Sequence, residues 1–126
     1  MLAWLAREPG AARVRRELER AEAAGDRLLL STINAGEVYY RLAKSGNGDR
    51  AEEFIGELRR HRIPVQLVPA TTRRVWNAAR LKARYPIAYA DGFAAALARE
   101  YGRPLLTGDR EFEVLERAGE CEIVWL

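Results

Sequence analysis

Cysteine and histidine are almost absent from this sequence of 126 residues, which contains one of each, Cys121 and His61. A single cysteine excludes an internal disulfide bond and a cysteine-based zinc site. The scarcity of histidine removes histidine-rich metal sites and leaves little basis for Ser-His-Asp or Cys-His catalysis. A metal ion bound here would be held by oxygen atoms, which is the ligand set that Mg²⁺ and Mn²⁺ prefer.

Long apolar runs are also missing. No segment approaches the roughly 18 apolar residues that a membrane span requires. The first ten residues lack the charged start, long apolar stretch and cleavage site of a signal peptide. With 48% hydrophobic and 31% charged residues, the composition is typical of a globular protein. We therefore expect a cytoplasmic protein with a single domain over residues 1–126.

The charge is modestly positive, with a formal value of +3 and a sequence pI of about 9.3. This balance permits an anionic partner without requiring one. Most arginine clusters are interspersed with glutamates, a pattern typical of solvated helix faces. Residues 73–84 are different because they include no acidic residue. Arg73, Arg74 and Arg80 are therefore the candidate RNA-binding residues.

Hydrophobic periodicity and helix-breaking residues predict helices that alternate with short strands. The predicted helices are Leu2–Arg7, Ala11–Ala24, Thr32–Lys44, Arg50–His61, Thr71–Arg84, Asp91–Arg99 and Asp109–Arg117. The predicted strands are Leu28–Ser31, Ile63–Val68, Leu105–Thr107 and Glu122–Trp125. Short apolar strands that alternate with helices indicate an α/β fold with a parallel sheet covered by helices.

Three acidic residues stand near the carboxyl ends of predicted strands, where α/β folds place their sites. Asp109 follows one strand, Glu37 lies in the second turn of a helix after another, and Asp91 opens an apolar helix. Each also has a structural interpretation. Asp91 and Asp109 could be helix N-caps, which stabilise by about 1 kcal/mol. Glu37, in apolar surroundings, could extend to solvent or be held by a partner.

Taken together, the three acids favour a metal site. Carboxylates that converge on one pocket repel one another unless a cation lies among them. Clusters of oxygen ligands bind Mg²⁺ or Mn²⁺, and these ions support phosphodiester cleavage by activating water and stabilising the departing oxygen.

The sequence also resembles a known family. The segments Ser31–Val38, Ala90–Ala98 and Thr107–Phe112 resemble three signatures of PIN domains, in the same order and at similar separations. The wider pattern is most similar to the VapC toxins of toxin–antitoxin pairs. The resemblance implies a three-layer α/β/α fold, Mg²⁺-dependent endoribonuclease activity on RNA, a homodimer, and inhibition by a cognate antitoxin protein.

Site residues follow from the same resemblance. It implies that Glu37, Asp91 and Asp109 are catalytic acids that bind the metal ion. It also implies that the Thr107 hydroxyl supports the site and that Glu111 is an accessory acid.

One PIN signature is not found in the sequence. PIN domains open with a strand that ends in an aspartate, whereas the segment Leu2–Gly10 resembles the helix and turn that follow that strand. We expect either a start codon assigned too far downstream, which we favour, or a truncated relative. An in-frame upstream segment encoding an apolar strand and an aspartate would support the first explanation, and an immediate stop codon would contradict it.

Two other functions are compatible with parts of the pattern. A non-catalytic PIN-like module that binds RNA or protein is the main alternative, because one family acid is lacking. A phospho-acceptor receiver domain is disfavoured, since it needs a lysine after a late strand and both Lys44 and Lys82 lie on predicted helices.

Overall fold

The computed structural model describes residues 10–126, which form six α-helices, one 3₁₀ turn and four short strands. They divide into two compact units, the first ending at Val68 and the second running from Pro69 to Leu126. The expectation of one domain stays a prediction, and the predicted helix Leu2–Arg7 lies outside the described residues. Within residues 10–126, none of the helices has the length and apolarity needed to cross a membrane.

The first unit contains three helices and two strands: α1 (Ala11–Ala23), β1 (Leu28–Ser31), α2 (Thr32–Lys44), α3 (Gly48–Arg59) and β2 (Val65–Val68). Strand β1 leads directly into α2 because Ser31, at the end of the strand, is also the N-cap of the helix. Its hydroxyl oxygen accepts a hydrogen bond from the Ile33 amide at 3.1 Å, which satisfies one free helix donor. Helix α2 packs against α3, and apolar residues of all five elements are buried.

The second unit also contains three helices and two strands, in a different order: α4 (Thr72–Arg84), α5 (Tyr89–Tyr101), β3 (Leu105–Thr107), a 3₁₀ turn (Arg110–Phe112), α6 (Glu113–Arg117) and β4 (Ile123–Trp125). Helix α4 ends at Arg84 because Tyr85 precedes a proline and is extended, with φ −131° and ψ 149°. The buried core consists of Leu81, Ile87, Ala95, Phe112, Leu115 and Ile123.

Both strand pairs are parallel. In the first unit β1 pairs with β2, with Leu28 opposite Val65. In the second unit β3 pairs with β4, with Leu105 opposite Ile123. Parallel neighbours require a crossover connection, and helices provide it in each unit. The predicted α/β fold class with parallel strands is confirmed.

Several predicted boundaries differ from those observed, and the predicted helix Asp109–Arg117 is a 3₁₀ turn followed by the short helix α6. Helix α5 begins at Tyr89 with Ala88 as its N-cap, so the predicted start at Asp91 is wrong by two residues. Helix α3 spans Gly48–Arg59 rather than 50–61, and His61 ends this segment with a left-handed φ of 53°. Strand β2 starts at Val65 rather than at residue 63, because the Val65 amide bonds back to the Ile63 carbonyl in a local turn.

Candidate metal centre

Three carboxylate groups converge in the second unit. Asp91, Asp109 and Glu111 each offer an oxygen atom, and these atoms lie within 4.8 Å of one another. Asp91 is half-buried on α5, whereas Asp109 and Glu111 are exposed in the segment that follows β3. Two like charges at this separation repel by about 1–4 kcal/mol near a protein surface. The arrangement therefore favours a bound cation.

Asp91 lies in the first turn of α5 rather than at its N-cap position. Ala88 is the N-cap residue and makes no side-chain capping bond, which puts Asp91 three residues into the helix. A carboxylate in the first turn is stabilised by the helix dipole. Its neighbour Gly92 is buried against α4, where a Cβ atom would lie 2.9 Å from the Ala78 carbonyl oxygen. The close approach of α4 and α5 beside Asp91 thus depends on a residue without a side chain.

Asp109 is held by two hydrogen bonds in the turn after β3. Its amide donates to the Thr107 hydroxyl oxygen at 3.0 Å. One of its carboxylate oxygens, Oδ1, accepts a bond from the Glu111 amide at 2.9 Å. Asp109 is therefore the N-cap of the 3₁₀ turn, as predicted. Because the same turn also bends Glu111 back beside Asp109, local backbone geometry brings two of the three acids together.

The donor set fits a small, hard divalent cation. All three ligand atoms are carboxylate oxygens, which suit Mg²⁺ and Mn²⁺ rather than softer metals. Opposite ligands of one Mg²⁺ ion are about 4 Å apart, so the observed spacing is on the scale of a single coordination shell. Arg110, the cation between Asp109 and Glu111 in sequence, stacks 4.6 Å from the Trp125 ring and bonds to Glu113 at 3.2 Å. The Arg110 guanidinium group is therefore engaged by Trp125 and Glu113.

Glu37, the third acid predicted from sequence, lies in the first unit on α2. Its side chain is 20% exposed, and its carboxylate pairs with Arg41 one turn later at 3.4 Å. The cluster found in the second unit contains Asp91 and Asp109 together with Glu111. Two of the three predicted acids are thus brought together, Glu111 joins them, and a role for Glu37 stays a prediction.

The family model of the PIN domain matches residues 1–118 of the sequence. The match includes Glu37, Asp91, Thr107, Asp109 and Glu111. This chain belongs to the PIN domain family. PIN domains are typically metal-dependent nucleases, and the acidic cluster is compatible with that chemistry. A search of curated proteins gave no match.

The three arginines predicted to bind RNA in this PIN domain differ from one another in their surroundings. Arg74 makes a bidentate ion pair with Glu100 on α5, at 3.1 and 2.8 Å, and also bonds to the Pro69 carbonyl. Hydrogen bonding from Arg74 lowers the pKa of the Glu100 carboxyl and raises that of the guanidinium itself. Arg73 and Arg80 are exposed on α4. Arg74 therefore joins α4 to α5, which leaves Arg73 and Arg80 better placed for an external anion.

Sequence reasoning missed Trp76, whose side chain lies on the same helix as these arginines. It is 57% exposed, more than the other exposed large apolar residues of the described chain. The available signal was its spacing, since Trp76 lies three residues after Arg73 and four before Arg80 and so shares a helix face with both.

Glu120 holds several elements of the second unit in place. Its carboxylate is 9% exposed and pairs with Arg84 at 3.0 Å and with Arg99 at 2.6 Å. It also accepts a hydrogen bond from the Tyr85 hydroxyl at 2.8 Å. That bond, together with the nearby Arg99 and Arg84, holds the pKa of the Glu120 carboxyl below its usual value. The network connects the end of α4 and the last turn of α5 to the turn before β4.

We expect Glu120→Gln to lower the free energy of unfolding by about 1–2 kcal/mol, the scale of a hydrogen bond to a charged group, discounted because both arginines are half-exposed. Urea denaturation measures the change. Glu113→Gln is the matched control, because the Glu113 side chain is 40% exposed and its pairs with Arg110 and Arg117 are on the surface. It should cost less than about 0.5 kcal/mol. Equal effects of the two substitutions would contradict a specific role for Glu120.

The same network predicts a pH dependence of stability. The pKa of Glu120 is lower in the folded protein than in the unfolded chain, so folding is favoured by the ionised form. This contribution is complete above the ordinary glutamate pKa of 4.5 and is lost as the pH falls through the lower folded value. Urea titrations at several pH values should show the difference between the wild type and Glu120→Gln shrinking below about pH 4.5. A constant difference down to pH 3 would contradict it.

Proposed function

We propose that this chain is a Mg²⁺-dependent endoribonuclease of the VapC type, the toxin of a type II toxin–antitoxin pair. The observation that carries the proposal is the cluster of Asp91, Asp109 and Glu111 oxygens within 4.8 Å of one another, inside the region that matches the PIN domain. Mn²⁺ is the alternative ion. RNA is the proposed substrate because the exposed arginines of α4 offer a surface for a polyanion.

In this proposal Asp91, Asp109 and Glu111 hold the metal ion. A divalent cation at such a site supplies a more acidic water molecule and charge stabilisation for phosphodiester cleavage. Thr107 acts as a positioning residue, because its hydroxyl oxygen accepts the Asp109 amide hydrogen bond at 3.0 Å and so fixes the start of the turn. On the family resemblance alone, Glu37 is proposed as a further metal-site acid.

Removal of the metal ion tests the proposal directly. The full-length protein, purified without an antitoxin, should cleave single-stranded RNA in Mg²⁺, lose all cleavage in excess EDTA, and regain it when Mg²⁺ is restored. Gel electrophoresis of an end-labelled RNA reports the products. Cleavage that persists in EDTA would exclude the metal mechanism. Saturable RNA binding without cleavage in Mg²⁺ or Mn²⁺ would instead identify a non-catalytic binding module.

Metal binding is measured separately from activity. Titration with Mn²⁺, followed by the electron paramagnetic resonance signal of the free ion, should give a saturable site in the wild type. Asp109→Asn should weaken this site by at least about tenfold, because one charged ligand is lost. Glu113→Gln, outside the cluster, should leave it unchanged. Equal Mn²⁺ affinity in all three proteins would contradict the assignment of the ligands.

The proposed partners are a second copy of the chain, RNA and a cognate antitoxin, and the proposed location is the cytoplasm. A small open reading frame directly upstream, encoding a protein that co-purifies with this chain and blocks RNA cleavage, would support the toxin assignment. Sedimentation of the free protein as a monomer would contradict the homodimer.

A further inference from the structure

One face of α4 carries an exposed tryptophan between two exposed arginines. Arg73, Trp76 and Arg80, which we name the α4 basic face, share one side of the helix because they are separated by three and four residues. The Trp76 side chain is 57% exposed. The opposite side of α4 packs against α5, with Ala78 and Leu81 buried. Trp76 is therefore not a core residue of the second unit.

The charge of this face is positive and largely uncompensated by its own helix. Residues 73–84 include no acidic side chain. The other cations of α4 have partners within the second unit: Arg74 pairs with Glu100, Arg84 pairs with Glu120, and the Lys82 ammonium donates to the Ile87 carbonyl. Arg80 bonds to the Asn77 side-chain oxygen at 3.1 Å, a neutral acceptor that leaves its charge intact. Glu100, bonded to Arg74, also interacts electrostatically with Arg73.

We propose that the α4 basic face binds single-stranded RNA, with an unpaired base stacked on Trp76 and flanking phosphates on Arg73 and Arg80. An exposed aromatic ring binds any base through its π-face, and guanidinium groups bind phosphates through paired hydrogen bonds. Along the helix the two arginines are roughly 10 Å apart, a distance that suits phosphates on either side of a stacked nucleotide. Tryptophan and arginine are also common at protein interfaces, so a protein partner is the contrasting outcome of the test below.

This inference rests on the proposed function, since it assigns a substrate-binding surface to the same nuclease. It makes Trp76 a determinant of RNA affinity rather than a catalytic residue. It also predicts a preference for single strands, because the bases of a duplex are already stacked and paired.

The test measures binding of a fluorescein-labelled 12-nucleotide RNA of mixed sequence to the full-length protein by fluorescence anisotropy in EDTA, where the RNA stays intact. Trp76→Ala should weaken binding roughly 5- to 150-fold, the range of base–aromatic stacking. Trp76→Phe should retain most of the affinity. Tyr40→Ala is the matched control, because Tyr40 is 47% exposed and also lies beside a cation, Lys44. It should have little effect.

The arginines are tested through the salt dependence of the same binding. Arg73→Gln combined with Arg80→Gln should reduce the slope of log affinity against log salt by about 1.4, corresponding to two phosphates on a single strand. The charge-matched control is Arg15→Gln combined with Arg16→Gln, two exposed residues of α1, which should leave that slope nearly unchanged. Thermal unfolding of every variant confirms that exposed substitutions preserve the fold.

Several outcomes would overturn the inference. The first is that the wild type and Trp76→Ala bind the single-stranded RNA equally well. The second is that Trp76→Ala loses as much affinity for a 12-base-pair duplex as for the single strand. The third is that Trp76→Ala changes the oligomeric state and leaves RNA binding unchanged, which would identify a protein interface. If RNA binding is insensitive to Trp76 while Mg²⁺-dependent cleavage remains, this inference fails and the proposed function stands. If the wild type neither binds nor cleaves the RNA, both fail.

Discussion

Asp91→Asn should reduce Mg²⁺-dependent RNA cleavage by at least about a hundredfold, since loss of a direct ligand should cost more than the 10- to 100-fold typical of residues that only support ligands. Asparagine has nearly the same shape as aspartate but lacks its charge, so the substitution removes one of three converging carboxylates while preserving volume. Initial rates of cleavage of an end-labelled RNA, measured at saturating Mg²⁺, report the effect.

Two measurements make the result specific. Thermal unfolding should show that Asp91→Asn remains folded at the assay temperature, and Glu113→Gln should cleave RNA at the wild-type rate. Glu113 is a suitable control because it is an acid of the same unit that pairs with Arg110 and Arg117. RNA cleavage unchanged by Asp91→Asn would defeat the assignment of this cluster as the active site.

Gly92→Ala should lower the free energy of unfolding by about 2 kcal/mol. This value is the cost of a steric clash less the gain in helix propensity that alanine brings. The added Cβ would lie 2.9 Å from the Ala78 carbonyl oxygen, so the backbones of α4 and α5 would have to separate. Because the atom in the way belongs to the backbone, the cost lies near the upper end of the roughly 1–3 kcal/mol typical of overpacking, which exceeds the gain of roughly 1 kcal/mol that alanine brings to a helix interior. Because Asp91 is the adjacent residue, Mn²⁺ affinity should fall as well.

Gly36→Ala is the matched substitution, because Gly36 also lies inside a helix but, among residues 10–126, no heavy atom outside its own stretch of helix comes within 4 Å of its Cβ position. Only the higher helix propensity of alanine acts at this position, so this variant should be more stable than the wild type by about 0.5–1 kcal/mol. Urea denaturation should therefore give opposite signs for the two variants. A stabilising Gly92→Ala would mean that α4 and α5 separate without cost.

The α/β class and most boundaries were predictable because they depend on local signals. Strand β1, helix α2 and strand β3 have the predicted limits, since each is bounded by turn residues or by a strand-to-helix junction. The end of α4 at Arg84 followed from a local steric rule, the restriction on the residue before proline. Helix α5 was less exact, because Ala88 makes no side-chain capping bond and the nearby aspartate resembled a cap.

The candidate site was predictable only in part. The sequence by itself determined that any metal ligands are oxygens and gave Glu37, Asp91 and Asp109 as candidate acids with Glu111 as an accessory acid, because residue types and motifs can be read directly from the chain. Only the tertiary structure decided that Asp91 on α5 meets Asp109 and Glu111, that Arg74 pairs with Glu100, twenty-six residues away, and that Trp76 is exposed. Periodicity specifies which side of a helix is apolar, whereas the partner of a side chain depends on which distant element packs beside it.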